Sequence, residues 1–477
     1  MSQLTKRRLI IAAVLLVIVG GALGLTVWYK FFREVDDGPF ATDEERFLYG
    51  SIDAEGQAGL PYWIWVVLPR VFPDFMPGTG GYRSFGLPWA EGHEMPAGFT
   101  KKTIGFARVA NNCAICHVAT YRTKPDETPV MVAAGPNHTL NVQGFLRFLT
   151  RCARDIRFNA DTLLTEIEQH THLSLLDRLA YRYLLIPRTR QALLARDPQF
   201  AFMNRTGWPD WGAGRDDPMN LTKYFMTSLP MDNTIGSADF PSVWNLDLRE
   251  GKNLNWGGET PSPYSVILDS ALGLQADPKR VEAHAHWTVN FLKTKRPPKY
   301  PFPVDAALVA KGKAVFDSQC NSCHGLGAGT KVGTVIPMEE VGTDANRLIT
   351  WTQQAADTAN QKVASLGIQR IGLIKTNGYQ AVPLDGIWLR APYLHNGSVP
   401  NLRELLEPVD KRSKVFYRGY DVLDKANVGF EVQSPEAQRT GFRFDVSQKG
   451  NGNQGHLYGT TLGPGEKTAL IEYMKTE

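Results

Sequence analysis

The sequence predicts a mainly α chain, with one N-terminal transmembrane helix followed by two helical units and long loops. Three observations carry that expectation. Leu9 to Tyr29 is a run without a charge, long enough as a helix to cross a bilayer. Apolar residues recur at helical spacing in three later segments, 161–186, 305–320 and 465–475. The string Cys-x-x-Cys-His occurs twice, as Cys113-Ala-Ile-Cys116-His117 and Cys320-Asn-Ser-Cys323-His324. The 44 Gly and 30 Pro among 477 residues supply the loops. A composition 43% apolar and 21% charged excludes a disordered chain. The net charge of +4, from 52 basic and 48 acidic side chains, is too small and too evenly spread for a nucleic-acid surface.

Taking the chain in order, residues 1–8 carry Lys6, Arg7 and Arg8 and are expected in the cytoplasm by the positive-inside rule. Lys30 and Arg33 on the far side weaken that bias. Residues 9–29 form the anchor, spanning about 30 Å as a helix and ending in the interfacial pair Trp28-Tyr29. A cleaved signal peptide is the competing reading, but its apolar region is shorter, about 7–15 residues. Either way, the chain beyond about residue 34 lies across the membrane. In the juxtamembrane segment, 30–100, a second apolar stretch from Leu60 to Met76 contains Pro61, Pro69, Arg70, Pro73 and Asp74 and does not span. It reads as a buried loop or short helix, with a bilayer-surface segment as the alternative.

Five cysteines in so long a chain are no disulfide scaffold, and Cys152 is left without a mate. In Cys-x-x-Cys-His the two thiols add to the two vinyl groups of a haem and the adjacent His reaches its iron. Two covalently attached c-type haems follow, held by Cys113 and Cys116 with His117, and by Cys320 and Cys323 with His324. Residues 101–294 are the first haem domain. Lys295-Arg-Pro-Pro-Lys-Tyr-Pro-Phe-Pro303 is an extended linker. Residues 304–477 are a second, cytochrome c-like haem domain, with one helix leading into the string and another closing the chain. The stripe Leu164, Ile167, Leu175, Leu176, Leu179 and Tyr183 is expected in the core, on a helix that Pro187 interrupts.

Four features resemble the dihaem c-type cytochromes that include bacterial dihaem cytochrome c peroxidases and, more closely, the rubber oxygenases. They are the paired strings, Trp208-Pro-Asp-Trp211-Gly-Ala-Gly-Arg215-Asp-Asp-Pro-Met-Asn220, the run from Pro383 to Ser398 around His395, and Gly450-Asn-Gly-Asn-Gln-Gly-His456-Leu-Tyr-Gly459. Together they cover roughly residues 105–477. The resemblance implies two cytochrome c-like haem domains with divided labour. His117 would hold a reactive iron with an open distal face, and the other haem would be six-coordinate and pass electrons. The anchor, which lies outside the resemblance, gives the expected location as the bacterial inner membrane with the haem domains in the periplasm, and a redox partner protein or small electron donor is expected. Some relatives hold a calcium ion between the haems, a cofactor left open here. This chain is shorter than the rubber oxygenases and carries an anchor, so a polymeric hydrocarbon substrate is not implied.

Beyond His324 only His395 and His456 remain as histidine ligands for the second iron. The resemblance favours His456, with His395 and Met338 as alternatives. For the first iron His93, His138, His170, His172, His284 and His286 are available, each expected to be an ordinary surface or core histidine, and Met226 or Met231 could also close it. Trp208 and Trp211 read as packing, with electron relay between the haems as the alternative. The function expected is a membrane-anchored dihaem oxidoreductase that activates peroxide or dioxygen, a haem-dependent peroxidase or oxygenase. The alternative is a pure electron-transfer cytochrome with both irons six-coordinate.

Overall fold

In the computed structural model, which describes residues 3–35 and 38–477, the chain begins with a helix over Gln3–Phe31. Met1 and Ser2, where the expected cytoplasmic segment starts, lie outside the described residues. The apolar helix Thr5–Phe31 is long enough to cross a membrane, and no residue of its most apolar stretch is buried in the protein. Immediately after it, Glu34–Val35 joins a four-stranded antiparallel sheet, in the order Glu34–Val35, Phe99–Ile104, Phe106–Asn111, Leu60–Pro61. The two central strands turn at Gly105 (φ +73°), where any side chain would strike the backbone of Phe31.

The Leu60 to Met76 stretch is core. Its helix, Tyr62–Val71, buries Ile64, Trp65, Val67 and Leu68, and Trp65 stacks on Tyr82. Around it pack the Val142–Arg154 helix, which buries the lone Cys152 thiol, and the Ala160–Glu168 helix. The single long helix expected over 161–186 is broken. After Glu168 the backbone leaves the helix and restarts at Leu175, where the Ser174 hydroxyl accepts from Asp177 N–H. The new helix, Leu175–Ala180, runs through a π-helical turn at Tyr181–Leu185 into Ile186–Arg196. Pro187 does not end it, because the π-helical turn directly before it, closed by Ile186 N–H on Tyr181 O, takes up the break that its missing N–H makes in the α-helical ladder. The apolar stripe divides accordingly. Leu164 and Ile167 are buried, but Leu175, Leu176, Leu179 and Tyr183 face outward, correcting the expectation that all six lie in the core.

The expectation of a mainly α fold of two cytochrome c-like domains is also corrected. The architecture is mixed, with helices interleaved with long loops and short antiparallel pairs. These pairs join Val118–Tyr121 to Val130–Ala133, Arg215–Asp216 to Ala238–Asp239, Val335–Pro337 to Gly378–Gln380, Val415–Arg418 to Phe442–Asp445, and Leu423–Asp424 to Gly429–Phe430. Strands of two to four residues are too short to show the alternation by which strands are read from sequence.

Residues 295–303 form no helix or strand, yet they are held, Pro298 O accepting from the Trp388 indole N–H. The largest buried cluster draws on both sides of that segment, with Trp244, Leu268, Phe316, Trp388 and Leu470 among its members. The Ala306–Gln319 helix leads into the second Cys-x-x-Cys-His string and crosses the closing helix, Pro464–Met474, at Gly312. A Cβ there would run into the Ala469 carbonyl oxygen and the Tyr473 side chain. Gly312→Ala is therefore expected to destabilise the protein by about 1–3 kcal/mol, read as a lowered melting temperature. Gly465→Ala, with nothing near its added carbon, should leave that temperature unchanged.

Candidate haem sites

The two strings are built on different backbones. The second ends a helix: Cys320 N–H bonds to Phe316 O, and Asn321–His324 makes one further turn. His324 Nδ1 lies 2.7 Å from Val382 O. A ring donating from Nδ1 presents Nε2 as its free lone pair, the arrangement in which histidine binds a metal. Across from it stands His456, their ring centroids 6.2 Å apart. With metal–nitrogen bonds of about 2 Å, two imidazoles on opposite sides of one iron have centroids about 6 Å apart.

His456 is reached by an unusual backbone. It has φ +47° and follows Gly455 (φ +76°), where a Cβ would strike Gly342 and Thr343. Its N–H bonds to Val341 O. Arg412 clamps the loop from the other side, donating to Asn453 O (2.6 Å), Gly455 O (2.9 Å) and His456 O (3.2 Å). Burial, with the nearby His324 and Arg412, lowers His456 to about 3, and burial also lowers His324. Both rings are therefore neutral at neutral pH, the ligating form.

The first string sits between strands. Phe106–Asn111 leads into a 3₁₀ turn, Cys113–Ile115, and Val118–Tyr121 leads out. Asn112 caps the turn by accepting from Ala114 N–H, while its amide donates to Phe47 O and Gly50 O. His117 Nδ1 lies 3.0 Å from Pro241 O, so this ring too presents Nε2. Burial lowers His117 to about 4 and raises the Cys113 thiol to about 11. Among the described residues no histidine ring pairs with His117 as His456 does with His324.

The remaining histidines sort by partner. His93 stacks on Tyr49 and His286 on Tyr264, His170 meets Glu166 and His284 meets Asp53, and His172 is exposed. His395 is buried with Nε2 2.9 Å from the Tyr379 hydroxyl, which in turn donates to Asp344 O. His138 is the exception. It is buried, stacks on Phe430 at 3.9 Å, and its Nε2 has no partner among the described residues. Its loop folds back on the first string, Ala134 N–H bonding to His117 O and Asn137 to Cys116 O and Ile115 O. Trp211 packs on Phe202, and Trp208 lies under the Arg205 guanidinium.

Buried charge connects the first string to the His456 loop. Arg215 is fully buried over the Phe444 ring and donates Nη1 to Asn451, in the His456 loop. Its neighbour Asp216 is close enough to Cys116 to raise that thiol. Burial and Arg418 lower Arg215 to about 9, and its Nε and Nη2 have no partner among the described residues. Arg418 is paired with Asp239, and Arg347 with Glu259 at 2.7 Å. A haem brings two carboxylates of its own, the acceptors that unpartnered guanidinium donors require. The donor set therefore fits: two Cys-x-x-Cys-His strings, two rings presenting Nε2, and a buried arginine with two unpartnered donors. No group of three or more His, Cys, Asp or Glu placed for a metal ion occurs among the described residues.

Residues 378–417 match the family described as RoxA-like, cytochrome c-like. The matched segment supplies Val382, which orients His324, and Arg412, which holds the His456 loop. The match supports a RoxA-like cytochrome c relationship, and a cytochrome c-like domain implies covalently bound c-type haem. The chain is also similar to two proteins of Sinorhizobium fredii (strain NBRC 101917 / NGR234). Uncharacterized protein y4iM is 28% identical over 284 residues, 50% of this chain and 64% of its own length. Uncharacterized protein y4iJ is 29% identical over 248 residues, 38% of this chain and 41% of its own. The chain therefore spans less than two thirds of either relative.

Sequence reasoning did not single out His138, Arg412 or the carbonyls of Pro241 and Val382. Only Gly135-Pro-Asn-His138, a turn ending in a histidine, offered a signal. The facing pair yields a direct test. With both rings on one iron, His456→Ala shifts that haem from low towards high spin in the electron paramagnetic resonance spectrum, whereas His395→Ala leaves it low spin.

Proposed function

We propose that this chain is a membrane-tethered dihaem c-type oxidoreductase that reduces peroxide or binds dioxygen at the His117 site and takes in electrons at the His324 site. The observation that carries the reading is the asymmetry between the strings: His324 faces His456, and among the described residues His117 faces no comparable ring. When bound, c-type haem supplies one-electron redox chemistry, and an iron with an open coordination position also takes exogenous ligands. The chain does the rest. Cys113 and Cys116, and Cys320 and Cys323, fix the two groups; Pro241 and Val382 hold His117 and His324 in the ligating tautomer. His456 closes the second site, held there by Arg412.

The Thr5–Phe31 helix supports retention at a membrane, in this reading the bacterial inner membrane with the body on the periplasmic side. Electrons come from a redox partner protein or a small donor. A second reading, electron transfer alone, is favoured by one observation: the buried, unpartnered Nε2 of His138 beside the first string, a donor able to close that site.

Carbon monoxide separates the two. Purified protein should carry two haems per chain that resist acid–acetone extraction, and on reduction one of them should bind carbon monoxide. Two low-spin haems that ignore the gas would favour electron transfer, and gas binding gained on His138→Ala would identify the residue that had closed the site.

A further inference from the structure

The outward half of the divided stripe has no protein over it. Along Leu175–Ala180 and the π turn after it, Tyr181 and Leu185 point into the core, while Leu175, Leu176, Leu179 and Tyr183 are 73%, 56%, 42% and 73% exposed. A contiguous apolar strip of this kind on a water-facing surface marks a contact with something else.

The N-terminal helix shows what that is. Lys30, at its last turn, places Nζ 2.7 Å from Asp177 Oδ1, on the same short helix as the exposed strip and beside it. The end of the helix is fixed to the body by several contacts. Gly105 N–H bonds to Arg33 O at 2.7 Å, Gly105 packs on the Phe31 backbone, and Glu34 and Val35 pair with Ile104 and Thr103. The plane at which the apolar helix leaves a bilayer therefore passes beside Leu175–Ala180. Trp28 and Tyr29, aromatic residues of the kind found at membrane interfaces, are exposed at that same end. Arg178 and Arg182, paired with Glu168 and Asp161, flank the apolar residues, with exposed Arg188 beyond. Apolar side chains bordered by arginines are the pattern of a surface lying at the boundary between headgroups and acyl chains.

We infer that the strip formed by Leu175, Leu176, Leu179 and Tyr183 rests in the surface of the same phospholipid bilayer that holds the N-terminal helix. This second, monotopic contact fixes the orientation of the haem-bearing body over the membrane. It rests on the reading of Thr5–Phe31 as a retained span. A helix alone would leave the body free to tilt; two contacts joined by the Lys30–Asp177 pair do not.

The test uses the full-length haem-loaded protein in vesicles of phosphatidylcholine and phosphatidylglycerol. Spin labels are placed at Leu176→Cys, Tyr183→Cys and, as a water-exposed control, Ile371→Cys, and haem absorption bands verify that each variant is folded. Labels at 176 and 183 should relax several-fold faster with oxygen than with a polar nickel chelate, the reverse of the label at 371. Labels at 176 and 183 that behave like 371, on protein that floats with the vesicles, would overturn the docking contact alone. Sequencing the N-terminus of membrane-derived protein tests the span separately. A chain beginning after residue 30 that still floats, and stops floating as Leu176→Asp/Tyr183→Asp, refutes the span and supports the docking. One that neither keeps the helix nor floats refutes both.

Discussion

The hydrogen bonds from His117 to Pro241 O and from His324 to Val382 O are the constraint on which the rest of the structure depends. A Cys-x-x-Cys-His string fixes the thiols and the histidine relative to one another, but it leaves the imidazole free to rotate and to change tautomer. In each site the carbonyl that removes that freedom comes from far along the chain, 124 residues away in the first and 58 in the second. The orientation of each ring is thus a product of the tertiary fold. Pro241 follows the strand pair that carries Arg215, and Val382 follows the strand that pairs with Val335–Pro337. The short antiparallel pairs, minor in extent, carry the acceptors that aim both rings.

What was legible in the sequence follows from the range of the interactions involved. The two strings could be read because their chemistry lies within five residues. The helices at 306–319 and 464–474 could be read because amphipathic spacing extends over several turns. The region from Asp161 to Ile186 shows where this reasoning stops. Periodicity gave an apolar stripe, but it did not show that the backbone would be recapped at Ser174, nor that the second half would turn away from the protein. An apolar face reads the same whether it meets a protein core or some other apolar phase. His456 was reachable through a glycine-rich loop matching a known pattern, whereas Arg412, which holds that loop, lies 44 residues upstream with no local signature.

The two sites differ in ways that bear on their chemistry. His324 stands at the end of a helix, opposite a loop whose positive-φ residues exist to bring His456 close. His117 stands between two strands, with Ala114 in one buried cluster and Ile115 in the other. The first site therefore sits at the seam between the two main cores, with packing on both sides. Its surroundings are apolar, and a water-poor setting strengthens each electrostatic contact made inside it.

Arg418 is paired with Asp239 and Arg347 with Glu259, whereas Arg215 makes no ion pair among the described residues. A fully buried guanidinium with two unpartnered donors costs several kcal/mol. A cation–π contact on Phe444 and one bond to Asn451 offset only part of that. Arg215 also ties the ends of the problem together, since its neighbour Asp216 lies by Cys116 and its partner Asn451 lies five residues from His456. Asp239, Asp344 and Asp217 favour the charge of Arg215 from nearby, but none of them accepts from Nε or Nη2, so those two donors are the ones a bound group with acceptor oxygens would meet.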